Sequence, residues 1–154
     1  MTKPTTKSKS KNTKPVKKIQ ATPAKKEITV ISVDSSNFEK LVLNSKTPVL
    51  LDVYADWCGP CRRMSPIFEE VSLKNKGKKI TFAKLKMDGF EESDKHIKLL
   101  KEKLGTSITM IPTFLYIEKG KLVEQIVGSQ SAPNLNTKIA SLMKKPINQK
   151  RNLA

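Results

Sequence analysis

Trp57-Cys58-Gly59-Pro60-Cys61 is the stretch that decides the fold, because it holds both cysteines of the chain at Cys-x-x-Cys spacing. Two thiols separated by two residues at the start of a helix can reach each other and close a small ring. Unpaired N–H groups at a helix N-terminus favour the first thiolate, which can attack a disulfide, and the second thiol can then release the product. The spacing therefore predicts a redox dithiol.

Two other uses of this cysteine pair fit the chain less well. A zinc site needs four ligands of cysteine, histidine or carboxylate type, and His96 is the only histidine. A purely structural disulfide is disfavoured, because closing so short a ring removes little entropy from the unfolded chain. A strand before the motif and a helix after it favour redox chemistry, so no metal site is predicted.

Positive charge is concentrated at the N-terminus of this 154-residue chain. In total, 30 Lys and Arg residues against 14 Asp and Glu residues give a net charge of +16. Residues 1–26 hold nine lysines and no acid, whereas residues 27–145 hold 19 basic and 14 acidic residues, or +5. We therefore predict a Lys-rich tail over 1–26, one domain over 27–145 and a short C-terminal tail over 146–154.

The N-terminal segment contains only two large apolar residues, Val16 and Ile19, so we expect it to be disordered. It has no apolar stretch typical of a secretory signal or a membrane span. Organelle import is one alternative use of such a basic tail, and weak binding to nucleic acid or an anionic surface is another. Two cysteines without a disulfide framework fit a reducing compartment, so a cytoplasmic location is predicted.

Hydrophobic periodicity divides the domain into alternating strands and helices. Apolar runs predict strands, the last two joined by a hairpin at Lys119-Gly120; they cover 27–33, 49–54, 80–87, 114–117 and 122–127. Helical spacing predicts helices after the capping box Ser36-Asn37-Phe38-Glu39, after the cysteine motif, over 91–104 with a cap at Gly105, and from Ser131 to Pro146. We expect Pro66 to kink the second helix and Gly77 to end it. The order β-α-β-α-β-α-β-β-α predicts an α/β fold, with a central mixed sheet flanked by helices on both faces.

Several landmarks along residues 27–145 resemble the thioredoxin family. They are Leu51-Asp52 ahead of the cysteine motif, Pro66, Ala83-Lys84-Leu85 with Asp88, Ile111-Pro112-Thr113, and Val127-Gly128. Separate landmarks in the family's order make the match more specific than the pentapeptide alone. The resemblance implies a thioredoxin fold and a thiol-disulfide oxidoreductase that carries electrons in redox homeostasis.

Position by position, the resemblance makes Cys58 the exposed attacking thiolate and Cys61 the buried resolving thiol. Asp52 on the central strand would accept the proton of Cys61, and burial in an apolar strand predicts a raised pKa for its carboxyl. A core carboxyl satisfied by hydrogen bonds is the alternative for Asp52. Lys84 would pair with that carboxyl, and a solvated strand lysine is an equal alternative.

The resemblance also implies a substrate groove beside the dithiol. Pro112 resembles the family's cis-proline, which leaves the backbone of Ile111 free to pair with an extended substrate. Simple packing is an alternative role for the tryptophan of the motif. The other groove residues that the resemblance implies are Trp57, Gly59, Pro60 and Gly128.

Three features depart from the family pattern. Tyr54 lies where many members have tryptophan, which leaves the chemistry untouched. The segment from Asp88 to Pro112 is longer than usual, and we expect its charged residues to be solvated and its length to influence partner choice near the groove. His96 in this segment is expected at the surface, because its neighbours are polar. The basic tail lies outside the family's pattern.

We expect a reductant, because Gly59-Pro60 resembles the reducing members of the family, whereas isomerases usually carry Gly-His. By resemblance, the chain binds no cofactor, and an NADPH-dependent thioredoxin reductase would recycle the Cys58–Cys61 disulfide. The clients would be disulfide-containing proteins, and the chain would be a monomer. A disulfide isomerase or oxidase of the same fold is one alternative. A non-catalytic scaffold anchored by its basic tail is the other.

Overall fold

A computed structural model describes residues 29–145 of the chain. The predicted order of strands and helices is confirmed, with a single π-helical turn in place of the first helix. The elements are β1 (Val30–Val33), the helical turn (Glu39–Leu43), β2 (Val49–Tyr54), α1 (Gly59–Lys74), β3 (Thr81–Lys86), α2 (Lys95–Leu104), β4 (Thr113–Glu118), β5 (Lys121–Val127) and α3 (Ala132–Lys144). The tails predicted over 1–26 and 146–154 lie outside the described residues, as does the start of the strand predicted over 27–33.

The five strands form one mixed sheet in the order β1-β3-β2-β4-β5. β1 and β2 run parallel to β3, whereas β4 is antiparallel to both β2 and β5. β2 is therefore the central strand, and its residues from 49 to 53 are all buried, as the apolar run predicts. The cysteine motif follows directly at the end of this strand.

Helices cover both faces of the sheet, as predicted. Side chains alternate across a strand, so neighbouring residues of β2 enter different cores. Leu51 packs in a cluster with residues of the 39–43 turn and α2, whereas Leu50 packs in a cluster with residues of α1 and α3. Asp52 has the same parity as Leu50, which places it on the face that packs against α1 and α3.

The hairpin between β4 and β5 turns at Lys119-Gly120, as predicted. Both residues have positive φ angles, 51° for Lys119 and 71° for Gly120, which a two-residue type I′ turn requires. A β-carbon placed on Gly120 would lie 2.9 Å from the carbonyl oxygen of Leu43. Glycine is thus needed at position 120 for both backbone conformation and space.

Gly120→Ala is expected to lower the free energy of unfolding by about 2 kcal/mol or more, because the left-handed conformation and the contact with Leu43 both oppose a β-carbon. Gly89→Ala is the matched control, since a β-carbon at Gly89 meets no atom within 4 Å and the residue is not in the left-handed region. Denaturant midpoints of the two variants measure the difference. Equal losses would mean that the tight turn does not constrain the hairpin.

Two predicted helix ends are wrong. The turn after β1 is not capped by Ser36; instead the Asp34 carboxylate, two residues earlier, accepts from the Ser36 amide at 2.8 Å. α1 is closed by Asn75 and not by Gly77, because both the backbone and the side chain of Asn75 donate to the Val71 carbonyl. Asp and Asn bond readily to nearby backbone groups, and here these bonds fix the ends.

α2 starts at Lys95, four residues later than predicted, because Asp94 caps it by accepting from the amides of His96 and Ile97 at 2.7 and 3.0 Å. His96 is therefore not at the surface as predicted. It is 8% exposed, and its ring nitrogens have no hydrogen-bond partner among the described residues. The polar sequence neighbours of His96 do not indicate its burial. His96 and Leu100 are four residues apart, so both lie on the buried face of the helix.

Candidate active site

The two cysteines lie where β2 gives way to α1. Cys58 is the N-cap of α1 and Cys61 lies in its first turn, with Pro60 between them as predicted. A disulfide joins the two, with their Cα atoms 5.3 Å apart. The amide of Cys61 donates to the Cys58 sulfur at 3.1 Å. A helix N-terminus with a donor aimed at this sulfur favours negative charge on it, so the geometry supports a reactive Cys58 thiolate after reduction.

The exposure predicted for Cys58 is not found. Cys58 is 5% exposed and Cys61 4% exposed in the disulfide form. The reason is the neighbouring segment around Ile111, whose carbonyl oxygen lies 3.8 Å from the Cys58 sulfur. The cysteine pair is thus covered by protein on the side of Ile111.

Asp52 is buried on the central strand, as predicted. It is 5% exposed, and its Oδ1 atom has no hydrogen-bond partner among the described residues. Burial raises the pKa of this carboxyl from 3.8 to about 7, although the charge of Lys84 opposes the rise. The predicted raised pKa is confirmed, whereas a carboxyl fully satisfied by hydrogen bonds does not match this environment.

Asp52, Cys61 and Lys84 line the same cleft, which has a volume of about 170 Å³. Lys84 on β3 is the register partner of Asp52 on β2. Its ammonium group also lies 5.9 Å from the centre of the Tyr54 ring, a cation–π distance. The cleft therefore brings together a sulfur, a carboxyl that titrates near neutral pH, and a cation that favours the charged carboxylate.

The bond between Ile111 and Pro112 is cis, as the family resemblance implies. The amide of Gly128 donates to the Pro112 carbonyl at 2.8 Å, which ties the start of the 128–131 loop to the proline. Gly128 has a φ of 85°, a conformation that favours glycine. Ile111, Pro112 and Gly128 thus lie together beside the cysteine pair.

Trp57 is 56% exposed, so burial in the core does not explain it. Its indole N–H donates to the Asp88 carbonyl at 2.9 Å, and its ring meets the Phe90 ring edge to face with centroids 5.9 Å apart. Pro60 is exposed and Gly59 is half-buried in the first turn of α1. Gly59 and Pro60 thus lie at the start of α1, whereas Trp57 directly precedes Cys58 and contacts residues 88 and 90.

Sequence reasoning missed two exposed apolar residues near the site. Phe90 is 43% exposed and contacts Trp57, and Met110, directly before Ile111, is 54% exposed. Phe90 could have been noticed as the one apolar residue within the charged stretch 88–94. Met110 gives no signal of its own beyond its place next to the Ile-Pro pair.

Between Thr29 and Lys145, no group of three or more His, Cys, Asp or Glu side chains is placed to hold a metal ion. Over the same residues, none of the helices is both long and apolar enough to cross a membrane.

Comparison with known proteins agrees with this geometry. The thioredoxin family model matches residues 29–141. A thioredoxin of Alicyclobacillus acidocaldarius is 32% identical, over 73% of this chain and 97% of that protein. The chloroplastic M-type thioredoxin of Pisum sativum is 35% identical, over 70% of this chain and 56% of that protein. The bifunctional thioredoxin reductase/thioredoxin of Mycobacterium leprae is 32% identical, over 75% of this chain and 25% of that protein.

The family model spans both cysteines, the central strand and the cis-proline, so the match covers the site as well as the fold. Proteins of this family act on disulfide-containing clients, use no bound cofactor and are themselves reduced by a thioredoxin reductase. This chain belongs to the thioredoxin family and is a thiol-disulfide oxidoreductase with a redox-active cysteine pair.

Proposed function

We propose that Cys58 is the cysteine that attacks client disulfides. The supporting observation is its sulfur at the N-cap of α1, 3.1 Å from the Cys61 amide, where the helix terminus stabilises a thiolate. The thiolate attacks one sulfur of the client disulfide. A Cys58–client mixed disulfide forms, and the other client sulfur leaves as a thiolate that takes up a proton.

Cys61 then resolves the mixed disulfide, and Asp52 accepts the proton of its thiol. The shared cleft and the raised pKa of Asp52, about 7, support this pairing, because a base is most effective when its pKa lies near the working pH. The Cys61 thiolate attacks the Cys58 sulfur, the second client thiolate leaves, and the Cys58–Cys61 disulfide remains. Lys84 acts as a supporting residue, since its charge favours the ionised carboxylate of Asp52.

The client segment lies along Ile111 and the cis-Pro112 in an extended conformation, a short β-augmentation. The 3.8 Å approach of the Ile111 carbonyl oxygen to the Cys58 sulfur supports this, because a backbone paired with Ile111 would bring its own cysteine to the attacking atom. The remaining contacts of this groove would come from the residues on either side of the cysteine pair, Trp57, Gly59, Pro60 and Gly128.

The protein works as a reductant that an NADPH-dependent thioredoxin reductase recycles. Gly59-Pro60 between the cysteines supports the reducing direction, and the fusion of a reductase to a thioredoxin in the Mycobacterium leprae relative supports the reductase as partner. We further propose a monomer in the cytoplasm, since the two cysteines fit a reducing compartment. Import into an organelle is the alternative, which the chloroplastic relative favours.

Insulin reduction tests this function. The full chain, supplied with a thioredoxin reductase and NADPH, is expected to reduce insulin disulfides and to consume one NADPH for each disulfide reduced. Omitting the chain is the control for direct reduction by the reductase. Failure of the chemically reduced chain to reduce insulin would contradict the function. Failure only in the presence of the reductase would contradict the recycling partner.

We propose that residues 27–145 are the catalytic unit and that the basic segment before them serves location or weak contact with an anionic surface. A chain beginning at Glu27 is therefore expected to keep the insulin-reduction rate and the melting temperature of the full chain. The support is the charge, nine lysines without an acid over residues 1–26. A large loss of stability on deletion would show that the segment packs on the domain and that the boundary is wrong.

A further inference from the structure

A short acidic segment lies against the active site of this basic protein. Residues 88–94 contain four acids and no base, in a chain with a net charge of +16. The Trp57 indole donates to the Asp88 carbonyl at 2.9 Å, and the Phe90 ring contacts the Trp57 ring. Two contacts thus fix the start of this segment against Trp57, the residue that precedes Cys58.

The Asp94 carboxylate fixes the conformation of this segment through hydrogen bonds. Asp94 accepts from the amides of Asp88 and Gly89 at 2.7 and 3.2 Å, and its other oxygen caps α2. These bonds close the loop and present residues 88–91 in one conformation. Phe90 lies in this loop and is 43% exposed, although the loop is fixed by several hydrogen bonds. A fixed, exposed aromatic residue is typical of a contact surface.

The acids of the segment differ in what they already bind. Asp94 is engaged by backbone amides, and Glu92 is paired with Lys101. Asp88 and Glu91 are exposed, and neither carboxylate lies within 4 Å of a basic nitrogen among residues 29–145, although the charge of nearby Lys86 interacts with Asp88. The Glu91 carboxylate accepts from the Ser93 hydroxyl at 3.2 Å. Two exposed carboxylates thus flank Phe90 in the sequence.

Basic side chains lie on α1, the helix that begins at the cysteine pair. Arg62 and Arg63 are exposed on the first turn of α1, and an Arg63 guanidinium nitrogen lies 3.9 Å from where a β-carbon of Gly59 would be. A client segment near the cysteine pair can therefore meet acidic groups of residues 88–94 and basic groups of α1.

We propose that Asp88, Phe90 and Glu91, which we call the 88–91 rim, select client segments that carry a lysine or arginine and an apolar side chain on one side of the reactive cysteine. This inference rests on the proposed function, since it assigns substrate preference to the same site. The apolar client side chain packs on Phe90 and Trp57, and the client cation lies between the two carboxylates. Charge complementarity and the exposed aromatic pair support this occupant.

Three disulfide-linked peptides test the rim, with kcat/KM measured for the full chain at low and high salt. One peptide carries Leu-Lys before its cysteine, one carries Leu-Lys after it, and one carries Ala-Ala on both sides. We expect one of the Leu-Lys peptides to react about fivefold faster than the Ala peptide at low salt and the preference to shrink at high salt, as for exposed charge pairs.

The double variant Asp88→Asn/Glu91→Gln is expected to lose the salt-sensitive part of this preference. Glu70→Gln/Glu102→Gln removes the same charge from exposed ion pairs on α1 and α2, and is expected to keep it. Phe90→Ala is expected to lower kcat/KM for the preferred peptide about threefold to tenfold, whereas Leu73→Ala, which truncates a similarly exposed apolar side chain on α1, is expected to leave it unchanged.

The outcomes separate this inference from the function on which it rests. If the wild-type chain reduces all three peptides at one rate, or if the control double variant loses the preference equally, the rim does not select clients while the reductase function stands. If the wild-type chain reduces none of the three peptides and no insulin, the proposed function itself fails. If the Asp88/Glu91 and Phe90 variants lose the preference for the Leu-Lys peptide and both control variants keep it, client selection by the 88–91 rim is supported.

Discussion

Cys58→Ser is expected to abolish disulfide reduction, by at least about a thousandfold, whereas Cys61→Ser is expected to stop after the first half of the reaction. Without Cys58 there is no sulfur at the helix N-cap to attack the client. Without Cys61 the attack still proceeds, but no thiol remains to release the product. The Cys61→Ser chain should therefore accumulate a covalent adduct with its client.

Mass spectrometry of each variant after incubation with an excess of oxidised client measures this directly. Each single variant is the control for the other, since both remove one sulfur and the internal disulfide. The adduct is expected on Cys58 in the Cys61→Ser chain, and none is expected in the Cys58→Ser chain. Adducts on Cys61 in the Cys58→Ser chain alone would reverse the roles of attacker and resolver.

Asp52→Asn is expected to slow the resolving step about tenfold near pH 7 and to stabilise the fold at the same time. The amide keeps the size of the carboxyl but cannot accept the proton of Cys61. The stability gain follows from the burial of a carboxyl that has no hydrogen bond on Oδ1. A residue that improves stability when it is removed, yet is needed for rate, is typical of an active site.

The pKa of Asp52 determines the pH range over which Asp52→Asn stabilises the fold. Its folded value of about 7 lies above its usual value of 3.8, so the folded protein holds this proton over a range where the unfolded chain has lost it. The wild-type chain therefore loses stability as the pH rises from about 4 to about 7, and the loss approaches about 4 kcal/mol. Below pH 4 both forms are protonated, and Asp52→Asn should have little effect.

Denaturant midpoints at pH 4 and pH 8, together with single-turnover rates across the same range, test both halves of this prediction. Asp56→Asn is the matched control, because its side chain is 73% exposed and pairs with Lys86 outside the core. It removes the same charge close by and is expected to change neither the pH dependence of stability nor the rate. Equal rates for wild-type and Asp52→Asn chains at every pH would rule out the proton-accepting role.

The features that could be predicted from sequence are those that a local pattern determines. Asp52 lies within an unbroken apolar run, so its burial and raised pKa follow from the run itself. Lys119-Gly120 between two apolar runs predicts a tight hairpin, and both residues have the required positive φ. The cysteine spacing predicts a disulfide across the first turn of a helix, which the structure contains.

The features that could not be predicted depend on how separate segments meet. His96 is buried because of the face that α2 turns inward, which its polar neighbours do not reveal. Cys58 is covered by the segment around Ile111, 53 residues away in sequence. The exposed contact between Phe90 and Trp57 depends on the loop that Asp94 ties together. Local periodicity carries no information about such long-range contacts.

The reduction potential of the Cys58–Cys61 pair decides whether the pair gives electrons to client disulfides or takes electrons from client thiols. Equilibration of the full chain with redox buffers of defined poise, followed by thiol alkylation and mass analysis, measures it. We expect a value near that of thioredoxins, about −270 mV. A value near that of protein disulfide isomerase, about −180 mV, would instead identify the pair as an oxidant or isomerase.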